Sequence, residues 1–255
     1  MTSADPTGLH DWHSDAYVQE WIGGQTEAER RVLLQRLVDL IPYDPDDEIR
    51  VLDIGGGYGA LSKLVLDNYP HSTVVLHDYS EPMLQEARAH LAQYSDSVSY
   101  VRGDLMTSEW TGALTGEFNA VVSSIAIHNV RYPGRIKGVY QEVAPFVAKG
   151  GCFLNFDQVA AAGDLIAGAE RHAGLMSRRR KIMEEEWRQL TLAETAAEAA
   201  MGRRGRGGGA STLPSEAEPA TLANQLKWLR EGGYDQADCF WREGRRVIIG
   251  GYKSG

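Results

Sequence analysis

Three aspartates stand where this chain could do chemistry. Asp53 lies inside Val51-Leu52-Asp53-Ile54, just ahead of Gly55-Gly56-Gly57-Tyr58-Gly59. Asp78 ends the run Thr73-Val74-Val75-Leu76-His77, and Asp104 follows a third apolar run and Gly103. Short apolar runs bounded by turn residues read as buried strands. The three carboxylates therefore fall at or beside the carboxyl ends of three successive strands, the edge where an open α/β sheet binds ligands. An acid in the Asp78 position can accept both hydroxyls of a ribose. An acid in the Asp104 position can accept the exocyclic amine of an adenine, with Met83 and Leu105 placed to sandwich the ring. The glycines permit positive φ and let a ligand lie on bare backbone, facing the free N–H groups of the next helix. A lone acid at a strand end is more often a solvated cap than a ligand. Gly55-x-Gly57-x-x-Ala60 by itself satisfies only a permissive dinucleotide fingerprint. The register of all three acids weakens that bland reading, and together they describe an adenosine on a glycine turn.

The elements that must position these residues follow from the pattern. A short helix over 15–21 presents Tyr17, Val18 and Trp21. Thr26 and Glu29 form a capping box for a helix with Val32, Leu33, Leu37 and Leu40 on one stripe, ending before Pro42. From residue 49 strands alternate with helices: strands over 49–54, 72–77, 98–102, 118–124 and 152–156, a helix capped by Ser80 with Pro82 in its first turn, and a helix over 133–148. That alternation predicts a parallel sheet covered on both faces. Residues 163–200 lose the strand pattern and read as two helices, one charged and one alanine-rich. A glycine-rich stretch over 202–209, an amphipathic helix over 219–232 and strands near 237–241 and 246–252 complete the chain. The organisation is an N-terminal helical segment, 1–48, and an α/β domain, 49–255, with a helical insertion at about 163–214.

Composition narrows the function. The chain has 255 residues and a hydrophobic fraction of 43%, enough for one sizeable core. A net charge of −9 argues against a general nucleic-acid binder, which needs a basic face. Cys152 and Cys239 offer neither a disulfide framework nor a zinc pattern. His10-x-x-His13 lacks a third ligand, so no metal is expected. A polar N-terminus and no apolar run of membrane length give the expectation of a cytoplasmic protein with no membrane partner.

At this point the motifs resemble a family. Residues 51–59, then Leu76-His77-Asp78-Tyr79-Ser80-Glu81-Pro82-Met83-Leu84, then Gly103-Asp104-Leu105, look like the successive motifs of the class I S-adenosylmethionine-dependent methyltransferases. Residues 118–129 resemble the family's fourth strand and its loop, and Lys149-Gly150-Gly151 its turn before the fifth. The likeness covers about 49–158 well and the last two strands loosely. It implies a Rossmann-like, mostly parallel seven-stranded sheet with an antiparallel last strand. It implies S-adenosyl-L-methionine as cofactor over the glycine turn. By the resemblance, Asp53 and Gly55 lie near the methionine part, Asp78 holds the ribose and Asp104 meets the adenine, with Tyr17, Gly57, Tyr79, Met83, Leu105 and Ser124 completing the expected cofactor-binding set. His77 and Gly56 depart slightly from the usual pattern.

Methyl transfer from a sulfonium is an in-line displacement of an activated group, so a protein supplies proximity, alignment and a dry site. A base is needed only where the acceptor must lose a proton. His128, just past the fourth strand, is the candidate, at even odds with a packing role; Asn129 is a weaker candidate for orienting substrate. Tyr17, with Trp12, His13 and Trp21, belongs to a segment that in this resemblance folds over the cofactor, with a packing role slightly favoured for Tyr17. The insertion is expected to form the acceptor side as a lid. Its arginines (Arg178, Arg179, Arg180, Arg203, Arg204, Arg206) favour a solvated charged helix over an acidic acceptor or RNA. Trp187, Met176 and Met183 could line an apolar pocket. The leading expectation is methyl transfer to a small organic acceptor at oxygen, nitrogen or carbon. The alternatives are a relative of the carboxy-S-adenosylmethionine synthases of tRNA modification, suggested by residues 123–129, and a non-catalytic adenosine-ligand binder. A nicotinamide dehydrogenase would leave Asp53 and Asp104 unexplained. Oligomeric state is open, with the N-terminal helices and the insertion as surfaces for a homodimer contact.

Overall fold

The apolar runs pair into one seven-stranded sheet: β1 (Arg50–Ile54), β2 (Thr73–Asp78), β3 (Val98–Arg102), β4 (Phe118–Ser124), β5 (Val147–Gln158), β6 (Gln236–Glu243) and β7 (Arg246–Tyr252). This is a computed structural model, and it describes residues 11–23, 27–163, 168 and 218–255. The strand order is β3-β2-β1-β4-β5-β7-β6. Strands β1 to β5 pair in parallel, and β7 runs antiparallel between β5 and β6. The chain thus leaves β1 outward to β3 and returns to β4 on the other side of β1. That reversal opens a crevice at the carboxyl ends of β1 and β4.

The inner strands are apolar along their length because both faces are covered. Side chains alternate between two cores. Leu52, Ile54, Val121 and Phe153 face one, with Tyr140 and Trp228; Val51, Val74, Ala120 and Leu154 face the other, with Leu61 and Leu37. Among the described residues the α-helices with both ends defined are α1 (Asp15–Gly23), α2 (Glu27–Val38), α3 (Ala60–Asn68), α4 (Glu81–His90), α5 (Pro133–Val143) and α6 (Leu222–Glu231). Ser80 caps α4 by accepting from the Met83 N–H, and Thr221 caps α6 by accepting from that of Asn224.

One expectation is corrected. The helix expected over 133–148 ends at Val143, and β5 begins at Val147 rather than Cys152. Pro145 lacks the N–H that would continue the helix, and the chain tightens into a 3-10 turn over Ala144–Phe146. Val147 already pairs with Phe118, so Lys149-Gly150-Gly151 is an irregularity within the strand rather than a turn before it. Gly150 at φ 76° supplies the left-handed backbone that this irregularity uses.

The chain divides into two units, Met1–Ala160 with Pro219–Gly255, and Ala161–Glu218. Within the second, the helices, the arginines and the Trp187, Met176 and Met183 set expected from the sequence lie outside the described residues, as do His10 and Thr26 of the N-terminal segment. Among the described residues no helix is long and apolar enough to cross a membrane.

Candidate functional site

The glycine turn after β1 takes positive φ at Gly55 (64°), Gly57 (55°) and Gly59 (87°). At Gly55 the requirement is doubled, because a Cβ there would come within 2.4 Å of the Ala126 Cβ. The turn after β1 and the turn after β4 therefore touch, and only glycine allows it. At Gly57 a Cβ would meet nothing nearer than the Met83 Sδ at 3.8 Å. That side of the turn is a bare backbone cradle.

Asp78 ties this turn to the next. Its Oδ2 accepts the Gly57 N–H at 2.8 Å and its Oδ1 the Ser80 N–H at 2.8 Å. Burial pushes its pKa up, and the Ser80, Gly57 and Tyr79 backbone groups pull the other way. Asp53 lies beneath the turn, fully buried. The Ser62 hydroxyl donates to its Oδ2 at 2.7 Å, while Oδ1 has no hydrogen-bond partner. Burial drives its pKa up to about 7 against the Ser62 bond, with the Asp78 charge adding to the rise. Asp53 thus sits under the turn rather than on its open face. Asp104 holds its own loop, accepting the Met106 N–H at 2.9 Å. Leu105 belongs to the core that also holds Val75, Trp110 and Ile127, and Met83 packs with Val18 and Tyr58.

The N-terminal segment lies on the same rim. Val18 of α1 packs on Tyr58 of the glycine turn and on Met83. The His13 ring hydrogen-bonds the Tyr79 hydroxyl, and the Ser80 hydroxyl donates to the Trp12 carbonyl. Tyr17 packs edge-on against Trp12, with ring centroids 5.1 Å apart. His13 is therefore a partner of Tyr79, and no metal-binding cluster occurs among the described residues.

Past Ser124 at the end of β4, Ile125 adopts φ 51°, a left-handed conformation that a β-branched side chain rarely takes. The 3-10 turn Ile127–Val130 follows and delivers His128. The His128 Nδ1 lies 2.5 Å from the Asp157 Oδ1, and its backbone N–H donates to Asp157 Oδ2 at 3.0 Å. The Asp157 side chain is 3% exposed and that of His128 29%. A buried carboxylate thus grips one ring nitrogen and leaves Nε2 as the group that can meet a ligand. Sequence reading missed Asp157. The strand-end rule applied to Asp53, Asp78 and Asp104 points to it too, once β5 is known to run on to Gln158.

Residues 51–151 match the methyltransferase domain family. That match and the methyltransferase relatives support a class I S-adenosylmethionine-dependent methyltransferase domain over this stretch. The malonyl-[acyl-carrier protein] O-methyltransferase of Magnetococcus marinus is 31% identical over 131 residues, 51% of this chain and 43% of that protein. The ribosomal RNA small subunit methyltransferase C of an Enterobacter species is 30% identical over 90 residues, 35% of this chain and 25% of that protein. The chain thus spans less than half the length of these curated relatives. Human N-acetylserotonin methyltransferase, solved in complex with its methyl donor, superposes with a TM-score of 0.58 at 13% identity, over 96% of this chain and 58% of the human one, a likeness of fold.

The residues present fit S-adenosylmethionine. The turn at Gly57 offers bare backbone, the Asp78 carboxylate stands beside it, and buried Asp53 keeps one oxygen without a hydrogen-bond partner.

Proposed function

We propose that the chain moves a methyl group to a small organic acceptor whose nucleophilic atom sheds a proton, with oxygen favoured. The carrying observation is the His128–Asp157 pair, at 2.5 Å, on the loop that touches the glycine turn through Ala126 and Gly55. Bound S-adenosylmethionine supplies an activated methyl on sulfur. The remaining work falls to the chain. Gly55 and Gly57 let the donor lie on bare backbone, Asp78 and Asp104 hold its sugar and base, and α1 covers the turn. Asp157 fixes the imidazole with its proton on Nδ1, so that Nε2 takes the acceptor's proton as its oxygen attacks. A neutral amine attacks through its free lone pair, whereas a hydroxyl attacks well only as its proton leaves, which is why the pair favours oxygen. The O-methyltransferase name of the Magnetococcus relative agrees with that choice.

The test is His128→Ala, assayed by formation of S-adenosylhomocysteine across a panel of hydroxyl, carboxyl and amine acceptors. The variant is expected to lose roughly a hundredfold or more in turnover, the usual contribution of a positioned base, while cofactor affinity holds. Equal turnover reduces His128 to a packing residue and removes the argument for a protic acceptor.

A further inference from the structure

Arg135, in the first turn of α5, lies across the helix toward the loop after β3. Two of its nitrogens meet the two Glu142 carboxylate oxygens at 2.6 Å each, a bidentate pair. Its Nε donates to the Leu105 carbonyl at 2.5 Å and its Nη2 to that of Thr107 at 2.9 Å. Glu142 Oε2 also accepts the Trp110 indole N–H at 2.7 Å. The two side chains are 16% and 24% exposed. The pair therefore grips residues 105–110 at three points, two of them main-chain carbonyls. Gly138 shows that the helix is built around this grip: a Cβ there would meet Arg135 Nη1 at 2.7 Å. A glycine inside a helix costs stability, and here it makes room for the guanidinium.

A half-buried ion pair is by itself weak evidence of stabilisation. What this one does is set the main-chain path directly after Asp104. We propose that Arg135 is a positioning residue that fixes the Asp104–Met106 turn and so determines the base selectivity of the cofactor site. This rests on the reading of Asp104 as the acceptor of the adenine amine. Arg135 itself touches no ligand. With the carbonyls of Leu105 and Thr107 released, Asp104 no longer meets the amine in one fixed geometry, and the cost falls on ligands that carry the amine.

The experiment titrates the full chain and its Arg135→Met variant with S-adenosylhomocysteine and with the inosine counterpart, in which an oxygen replaces the amine. Wild type is expected to prefer the adenine ligand by roughly tenfold or more, the range of one hydrogen bond to a charged group. In the variant that preference collapses to within about threefold, mostly through weaker binding of the adenine ligand. Arg135→Lys recovers part of it, because a lysine reaches fewer of the same acceptors. Gly138→Ala provides a second route should Arg135→Met fail to fold: it keeps the charge, displaces the guanidinium and lowers the same ratio. An unchanged ratio in Gly138→Ala and in whichever Arg135 variant folds overturns the proposal, as does an equal loss for both ligands, which marks a merely structural role. Wild type binding neither ligand overturns the adenine reading of the site and this proposal with it.

Discussion

Asp157→Asn tests the base at its support rather than at the imidazole. Three donors converge on the wild-type carboxylate: the His128 ring at Oδ1 (2.5 Å), the Gln158 N–H also at Oδ1 (2.8 Å), and the His128 N–H at Oδ2 (3.0 Å). A carboxylate can accept from all three. An amide offers one accepting oxygen and one donating nitrogen. With its oxygen at the Oδ1 position, the ring stays in place but the His128 N–H faces an NH2 group. With the amide flipped, the His128 N–H is satisfied, the Gln158 N–H is not, and the ring must turn its Nδ1 into an acceptor. The proton then sits on Nε2, where the acceptor's proton has to go. Either arrangement leaves one part-buried backbone donor unmet, at up to about 1–3 kcal/mol. The flipped one abolishes the base. We expect stability to fall by about 1–3 kcal/mol and turnover by roughly 10²-fold, equal to about 2.7 kcal/mol of barrier, with S-adenosylhomocysteine affinity within about twofold because no cofactor contact changes.

Two measurements read this. Turnover is followed as S-adenosylhomocysteine release at saturating donor, on the best acceptor of the panel used for His128→Ala. The tautomer is read from nitrogen-15 shifts of histidine-labelled protein, which separate protonated from unprotonated ring nitrogens. The wild type should show a protonated Nδ1 on His128, and the variant a mixed or inverted pattern. Unchanged turnover with the tautomer visibly inverted would refute the base assignment outright. Lost turnover with the tautomer intact would place the role of Asp157 in loop shape instead.

Two further outcomes follow from the same rim and core. Asp78→Ala should weaken S-adenosylhomocysteine binding by roughly 10–100-fold, the equivalent of about 1.5–3 kcal/mol for a lost charged acceptor; calorimetric titration showing unchanged affinity would remove the ribose assignment. His77 is 1% exposed, makes no well-formed hydrogen bond through either ring nitrogen, and is held by burial at a pKa of about 4, with the backbone of Gly103 and of His77 itself opposing. A base whose folded pKa is depressed stabilises fully above its ordinary value of about 6.5 and loses that contribution as pH falls toward 4, here by up to about 3 kcal/mol. Buried Asp53, raised to about 7, works in the opposite sense over much of that window, so His77 is isolated by difference. Urea unfolding of His77→Phe and wild type should diverge in the variant's favour between pH 6.5 and 4 by about 3 kcal/mol. Parallel curves would show that the ring is charged and accommodated in the fold.

Much of the architecture was legible because it depends on local signals. Strands β3 and β4 are bounded where the apolar runs are bounded, and Ser80 caps α4 as its sequence suggests. Strand β5 was misjudged because its start depends on pairing with β4: nothing near Val147 says that Phe118 will lie beside it. A second misjudged bound hid Asp157, which lies past the point where the strand was expected to stop. Arg135 was invisible for another reason. It reads as an ordinary helix-surface arginine, and its role comes from carbonyls some 30 residues earlier in the chain. Ile125 gives no local sign of its φ of 51° either, since nothing in an isoleucine announces a left-handed backbone. That conformation is held by its N–H bond to the Phe156 carbonyl at 2.7 Å.

These non-local features share a pattern, and it bears on how the site works. Each loop along the rim is tied to its neighbour by a specific contact. Asp78 holds the β1 turn through Gly57, and its own carbonyl accepts the Gly103 N–H that opens the β3 loop. Arg135 joins the β3 loop to the helix that follows β4. Asp157 joins the β4 loop to β5, and Ala126 closes the circuit by pressing on Gly55. Loops tied in this way lose little freedom when a ligand arrives, so more of the contact energy appears as affinity and alignment. In-line displacement is sensitive to small misplacements of the reacting atoms. On this reasoning the ties matter more to alignment than the carboxylates considered singly. Breaking one tie should disturb the two loops it joins more than the distant loops on the same rim. Amide hydrogen exchange on Asp157→Asn is the direct check: faster exchange confined to the β4 and β5 loops supports the pairwise scheme, and uniform loosening of all the loops refutes it.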